Sequence, residues 1–360
     1  MAWLTEPWRT DGARRLLEYG FEYRTCDDGL VRLHHLRTGT RLNAHNWQLF
    51  AGGDYGHLAD AAQDHFHALC HLPRAEGGFD MRWWSLAPPS GAPPDAPTGK
   101  VLATADLERN STGLLVVVPG TGSVRAGMWA RGLLIHASLE QASAHGLISH
   151  ALARGWSVVC FDPNRLDAGD ARRTPLAGSR TREAHCASAW RQCVTDASPA
   201  ARIAVVAHSA GGSWLLRCLQ ADATPDTHVE RLRALAFSDS IHTMAAKRLD
   251  ARRFALLAAR GRQWRAGPGA LDEPMADDRA PPGQPELGCG CPCVRAGTDD
   301  HSLTVFSSQA SVLAFVDACM DDEDGGAGAA DDAGSDAHWL DAPEDGGATG
   351  WTGRASCALQ

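Results

Sequence analysis

The chain has 360 residues, 44% of them hydrophobic and 21% charged, which suits a globular chain with a sizeable core and argues against a disordered one. The formal net charge is −9, and residues 321–360 carry all of it, with ten acids against Arg354 alone, so the balanced body offers no basic footprint for direct nucleic-acid binding. No apolar run approaches the roughly 18 residues of a membrane span, and Met1-Ala2-Trp3-Leu4-Thr5-Glu6-Pro7 lacks the basic start and apolar stretch of a signal peptide; an intracellular protein, nuclear and/or cytoplasmic and away from membranes, is expected.

In chain order, residues 1–111 read as an N-terminal extension and Pro/Gly-rich loop packing on a core, residues 112–320 as that core, and residues 321–360 as a disordered, acidic, low-complexity tail. Within the extension, Asp27-Asp28-Gly29 signals a turn before an alternating stretch, Leu30–Leu33, that Thr38-Gly39-Thr40 turns back. A helix is expected from about Leu58 to Leu72, and a strand at Met81–Leu86 inside a segment, 73–111, that is otherwise loop.

The core alternates strands and helices. Leu114–Val118 is a near-continuous apolar run, as expected of a strand buried on both faces. Ala144, Leu147, Ile148, Ala151 and Leu152 recur at helical spacing. A strand at Ser157–Phe161, a helix around Glu183–Val194, a strand at Ile203–Ala207, a helix at Gly211–Leu219, strands at Leu235–Phe237 and Val294–Ala296, and a helix at Gln309–Cys319 follow. Such alternation predicts an α/β fold: a mostly parallel sheet with helices on both faces.

The strand-to-helix junction Val206-Ala207-His208-Ser209-Ala210-Gly211-Gly212 has the form of a nucleophile elbow, in which small residues flank a serine whose hydroxyl stands above the sheet. Ala207 takes the place of the usual first glycine. The competing reading of Ser209 is a helix N-cap. The N–H of Ala210 would face a developing oxyanion, and the loop Pro119–Gly127 after the first core strand would supply a second donor near Thr121 and Gly122. That loop is no dinucleotide fingerprint, because Arg125 stands where the third glycine is needed, and no phosphate loop, because it lacks the lysine. Arg125 either meets an anionic ligand or locks the loop to a neighbouring carboxylate.

A serine nucleophile needs a base and an orienting acid, in the order Ser, acid, His. Asp239 ends the next strand and His301 follows the last, so Ser209, Asp239 and His301 form the candidate triad; His242 is a rival base, and Asp299 and Asp300 are rival acids.

Four strings taken together resemble one family: Val118-Pro-Gly-Thr-Gly-Ser-Val-Arg-Ala-Gly-Met-Trp-Ala-Arg131, Val206–Gly212, Phe237-Ser-Asp-Ser-Ile-His242 and Arg295-Ala-Gly-Thr-Asp-Asp-His-Ser-Leu-Thr304. They are similar to the argonaute-binding-protein-two-like domain family, over about residues 112–318. The resemblance implies an α/β-hydrolase-like fold with Ser209 in the nucleophile position and Asp239 and His301 in shared positions. It also implies partners among RNA-silencing, heterochromatin and cotranscriptional factors in the nucleus. The chain departs from animal members in the short segment between Asn164 and His185, and it holds no strong nuclear-localisation run.

Two classes of function follow: a partner-binding module with a hydrolase-like site, or an active serine hydrolase on an ester, thioester or acylated substrate. No cofactor is expected. The eleven cysteines, an odd number, read as reduced thiols. Cys289-Gly-Cys291-Pro-Cys293 lacks the usual zinc spacing and a second Cys/His pair at finger distance, so it reads as a tight loop entering a strand. His136 and Glu140, spaced four apart on a helix, have no third ligand, and no metal is expected. Trp129, Trp156, Trp190 and Trp214 read as packing residues, and His145, His150 and His185 as surface or core-edge residues.

Overall fold

A computed structural model describes residues 11–51, 55–220, 225–275 and 288–322. The expected disordered tail, with Trp339 and Trp351, lies outside the described residues from position 323 onward.

Among the described residues, ten strands form two sheets. β1 (Phe21–Thr25) and β2 (Val31–His35) pair as an antiparallel hairpin turned at Cys26–Leu30, while β3 (Met81–Ser85), β4 (Lys100–Thr104), β5 (Leu114–Val118), β6 (Ser157–Cys160), β7 (Ile203–His208), β8 (Leu232–Ser238), β9 (Gly261–Arg265) and β10 (Cys293–Arg295) form one eight-stranded sheet. Its order is β10-β9-β8-β7-β5-β6-β4-β3. The strands from β5 to β10 are mutually parallel, and β4 runs antiparallel to both of its neighbours. This is the mostly parallel sheet that the strand–helix alternation predicts, in the α/β-hydrolase-like form that the family resemblance implies. The edge strand β3 and its neighbour β4 come from before residue 112 and belong to the same sheet as the core strands.

Burial on both faces explains the unbroken apolar runs. Along β5, Leu115 and Val117 join one core layer, and Leu114, Val116 and Val118 join the other. The first layer is closed by the helices Tyr55–His71, His145–Ala153 and Thr304–Asp321, and the second by Arg182–Ala189 and Ala210–Cys218. The helix Thr304–Asp321 is long and apolar enough, by length and composition, to cross a membrane. Here it packs on β8 and buries one face through Val305, Val312, Val316 and Met320.

Several elements depart from the expected ones. The helix Asp11–Glu18 and the strands β1, β4 and β9 are not among the expected elements; the strands carry too many charged residues, or stand too near the Pro/Gly-rich stretch, to show a clean period of two. In β9, Gly-Arg-Gln-Trp-Arg reads as a loop, yet Gln263 and Trp264 are buried. The helix expected around Glu183–Val194 is α-helical over Arg182–Ala189 and continues as a π-helix over Trp190–Ala197. His136 and Glu140 fall on two separate short helices, Arg131–His136 and Leu139–Ala142, and Glu140 accepts the Val31 N–H at 3.0 Å. The four named tryptophans are buried, as expected of packing residues. His185 is a core residue rather than a surface one: its Nε2 accepts the Asp162 N–H at 3.1 Å, and its Nδ1 pairs with Ser179 Oγ at 3.1 Å.

Arg125 locks its loop to a carboxylate. It donates to buried Asp162 through Nε at 3.0 Å and through Nη2 at 2.6 Å, and its own N–H donates to Gln63 Oε1. Arg125→Ala leaves the Asp162 charge buried and unpaired, and is expected to cost about 3 kcal/mol in a urea titration; a loss under about 1 kcal/mol would mean the pair is no stronger than a surface one.

His65, His67, His185 and His208 are buried, and burial pushes each ring to about 4 from an ordinary 6.5. The unfolded chain therefore binds more protons than the folded one between those two values, so stability is complete above the ordinary value and lost as pH falls through the window. The urea midpoint is expected to be flat above about pH 7 and to drop steadily from about 6.5 toward 4.

Candidate active site

The parallel strands β5, β7, β8 and β10 deliver their C-terminal ends, and the loops that follow, to one edge of the sheet. Ser209 lies between β7 and the helix Ala210–Cys218, with φ 53° and ψ −125°. An L-residue pays a steric cost in that region, so the turn must be held by its surroundings. The hold comes from the neighbouring strand end, where the Ser209 N–H donates to Ser238 O at 3.0 Å and the Ile241 N–H donates to Ser209 O at 3.3 Å. The Ser209 side chain does not cap the helix, which removes the N-cap reading. Its hydroxyl makes no hydrogen bond among the described residues.

Glycines allow the close approach around this turn. A Cβ on Gly120 would sit 2.8 Å from Ser209 Cβ, and one on Gly211 would sit 2.6 Å from both Val118 O and Pro119 O. The loop that carries Thr121 and Gly122 therefore passes directly beside the serine. Asn164 holds that loop by donating from Nδ2 to Gly120 O at 2.8 Å and to Val124 O at 3.0 Å, and Arg182 Nε fixes Asn164 in turn. No hydrogen-bond acceptor for the N–H groups of Thr121, Gly122 and Ala210 is found among the described residues.

Asp239 and His301 meet. His301 Nδ1 lies 2.5 Å from Asp239 Oδ2, and the Ala266 N–H donates to Asp239 Oδ1 at 3.2 Å. Asp239 has a positive φ of 41°, and its own N–H donates to Trp264 O at 2.7 Å. Burial alone would raise the Asp239 carboxyl, yet the hydrogen bond and charge of His301, the Ala266 N–H and His208 together hold it below the usual carboxylate range. It is therefore an anion at neutral pH, suited to orienting an imidazole.

The rival residues are placed elsewhere. His242 is fully buried, stacked on Phe237 with ring centroids 4.0 Å apart, and its Nδ1 pairs with Ser240 Oγ at 2.8 Å. Asp300 caps the short helical turn at His301 by accepting the Ser302 N–H at 2.8 Å. Asp299 is exposed.

His208 is the site residue that sequence reasoning missed. Its ring lies under His301, with centroids 4.6 Å apart, and its Nε2–H donates to His301 O at 3.2 Å. Thr304 Oγ1 donates to the same carbonyl at 2.9 Å, and Ser238 Oγ donates to Thr304 Oγ1 at 2.9 Å. Burial, with the neighbouring His301 adding to it, pushes His208 down to about 4, so at neutral pH it is an uncharged shelf beneath His301. Its adjacency to Ser209 was the available signal, but nothing in one sequence assigns that ring a partner ninety-three residues away.

Comparison with known proteins gives the following. The profile described as the Arb2 domain matches residues 84–268. The cotranscriptional regulator ARB2A of Homo sapiens is 24% identical over 355 residues, covering 82% of this chain and 79% of its own. The FAM172 family protein homolog of Caenorhabditis elegans is 39% identical over 104 residues, covering 29% of this chain and 32% of its own. Among solved structures, a histone deacetylase from Saccharomyces cerevisiae superposes with a TM-score of 0.44 at 12% identity, covering 72% of this chain and 96% of that one.

The backbone at Ser209 makes a direct test of stored strain. At an ordinary position glycine is less stable than alanine; here Ser209→Gly is expected to be more stable than Ser209→Ala by about 1 kcal/mol in urea titrations. The usual order would show that the turn is not strained.

Proposed function

The chain belongs to the Arb2 domain family, and on that premise we propose that it is a regulatory, partner-binding protein of cotranscriptional, RNA-silencing or heterochromatin complexes, built around a serine-hydrolase-like site. The regulatory part of this reading draws on the alignment with the human cotranscriptional regulator across about four fifths of both chains. Nuclear and cytoplasmic placement are both compatible with it, and the partners are proteins rather than naked nucleic acid, given the balanced charge of the body.

The observation that carries the hydrolase-like site is the Asp239–His301 contact of 2.5 Å at the sheet edge that also holds the strained Ser209. The same observation favours a second reading, turnover of an acyl substrate. In that reading Ser209 Oγ attacks the acyl carbon while His301 Nε2 takes its proton, and Asp239 holds His301 Nδ1–H. The amides of Thr121, Gly122 and Ala210 receive the oxyanion. The proton passes from His301 to the leaving group, and water, deprotonated by the same ring, then releases the acyl group from Ser209. Because this fold also hosts proteins without turnover, the site's form supports an activated serine more directly than it supports any substrate.

Labelling by a fluorophosphonate probe tests the site. The purified wild-type chain is expected to be labelled, Ser209→Ala to lose all labelling, and Asp239→Asn to be labelled at least tenfold more slowly, about 1.4 kcal/mol or more of lost activation. A folded wild type that takes no label would remove the activated serine and leave the partner-binding reading alone. That reading is tested separately by co-precipitation of the tagged chain with an argonaute-class protein or with nucleosomes, where Ser209→Ala is expected to bind as wild type; binding to neither would overturn it.

A further inference from the structure

Away from the serine, the turn after β8 and the loop leading into β10 bring metal-ligating groups together. A ring nitrogen of His242 and the Sγ atoms of Cys289 and Cys291 all lie within 4.8 Å of one another. Cys289 Sγ is 3.7 Å from Cys291 Sγ and 3.0 Å from Cys293 Sγ. None of the four residues is more than 3% exposed. Zinc with bonds of about 2.3 Å to tetrahedral sulfurs holds those sulfurs about 3.8 Å apart, close to the observed Cys289–Cys291 separation.

The histidine points the same way. His242 Nδ1 is engaged by Ser240 Oγ at 2.8 Å, while Nε2 is buried without a well-formed hydrogen bond and the Cys289 thiol interacts with the same ring. A neutral imidazole whose Nδ1–H donates to a fixed oxygen carries a lone pair on Nε2, the arrangement found behind metal-ligating histidines. Leaving that lone pair buried and unmatched is costly unless something accepts it. The loop suits a closed site as well: Gly290 has a φ of 90°, which lets the chain double back between Cys289 and Cys291.

We propose that His242 Nε2 and the thiolates of Cys289 and Cys291 bind a structural zinc ion, with the Cys293 thiolate, now 3.0 Å from Cys289 Sγ and outside that three-residue group, swinging in to complete a closed Cys3His set. The spacing of the three cysteines alone gave no such expectation, because the fourth ligand comes from the turn after β8, far upstream in the chain. Binding replaces three S–H protons with one Zn2+, and the three protons leave to solvent. With no open position the ion has no catalytic role. It ties the turn after β8 to the strand β10.

Chain purified from a reducing host without chelator is expected to carry about one zinc per molecule by elemental analysis. Stripped and reloaded with Co2+, it is expected to show the visible absorption of tetrahedral cobalt together with a thiolate-to-metal charge-transfer band. Cys291→Ser is expected to weaken both bands and lower the metal content. His242→Gln, which keeps the volume of the core, is expected to shift the visible band and to weaken affinity at least tenfold. Both variants are checked for folding by circular dichroism, and His242→Gln decides the matter if Cys291→Ser does not fold. Three results would each overturn the site: a folded, reduced wild type with neither zinc nor a thiolate–cobalt band; folded variants that retain wild-type metal content; or a Cys289–Cys293 disulfide found by mass spectrometry in chain kept reduced throughout. None of these readouts depends on labelling at Ser209.

Discussion

The site depends on how closely the helix Ala210–Cys218 lies against β5. Gly211 has backbone oxygens of Val118 and Pro119 where a Cβ would be, and Gly120 has the serine itself there. Helix and strand approach to this distance only because both positions lack side chains, and the approach leaves the connecting residue no relaxed conformation. Ser209 takes up the mismatch with a positive φ. Such a turn persists only where the surroundings over-determine it. Here the core on both faces of the sheet and the two backbone hydrogen bonds to the end of β8 do so.

The same strand ends then place everything else. The turn leaving β8 bonds to Ser209 through Ser238 and Ile241, and between them it carries Asp239. The loop leaving β10 carries His301, whose carbonyl is gripped by His208 and Thr304 while its ring reaches Asp239. His208 precedes Ser209 in the chain, so the ring beneath His301 and the serine move as one piece of backbone. A buried ring that stays neutral at physiological pH adds no positive charge to compete with His301 for Asp239. The Asp239–His301 pair is thus positioned by hydrogen bonds to the main chain at three strand ends rather than by long flexible side chains, which keeps the ordering cost low.

Much of this was legible in the sequence because burial on both faces writes a strand as an unbroken apolar run. Leu114–Val118, Ile203–Ala207 and the residues around Leu235 declare themselves in that way, and the residues after them are therefore at one sheet edge. The order Ser209, Asp239, His301 follows from that edge. What stayed hidden is where burial is achieved by polar or aromatic residues with distant partners. Gln263 is buried because its amide donates to Ser240 O, and Trp264 because its indole N–H reaches Asp272 and Ser311. No periodicity marks such a strand, so β9 read as loop and the Ala266 N–H that supports Asp239 went unforeseen. His242 misled in the opposite direction: it stands at a strand end in a plausible position for a base, but it turns into the core beneath Phe237.

That inward turn joins the two sites mechanically. Asp239 and His242 sit three positions apart on the turn leaving β8, the first facing His301 and the second facing the cysteines. Cys293 begins β10, and the short stretch from Gly297 leads directly from that strand to His301. β9 lies between β8 and β10, so neither strand touches the other through the sheet itself. An ion held by both would couple them across β9 on one side while the Asp239–His301 hydrogen bond couples them at the strand ends. Two independent ties across one intervening strand leave it little freedom to shear. The Asp239–His301 contact, with His301 itself exposed to solvent, is served by that stiffness.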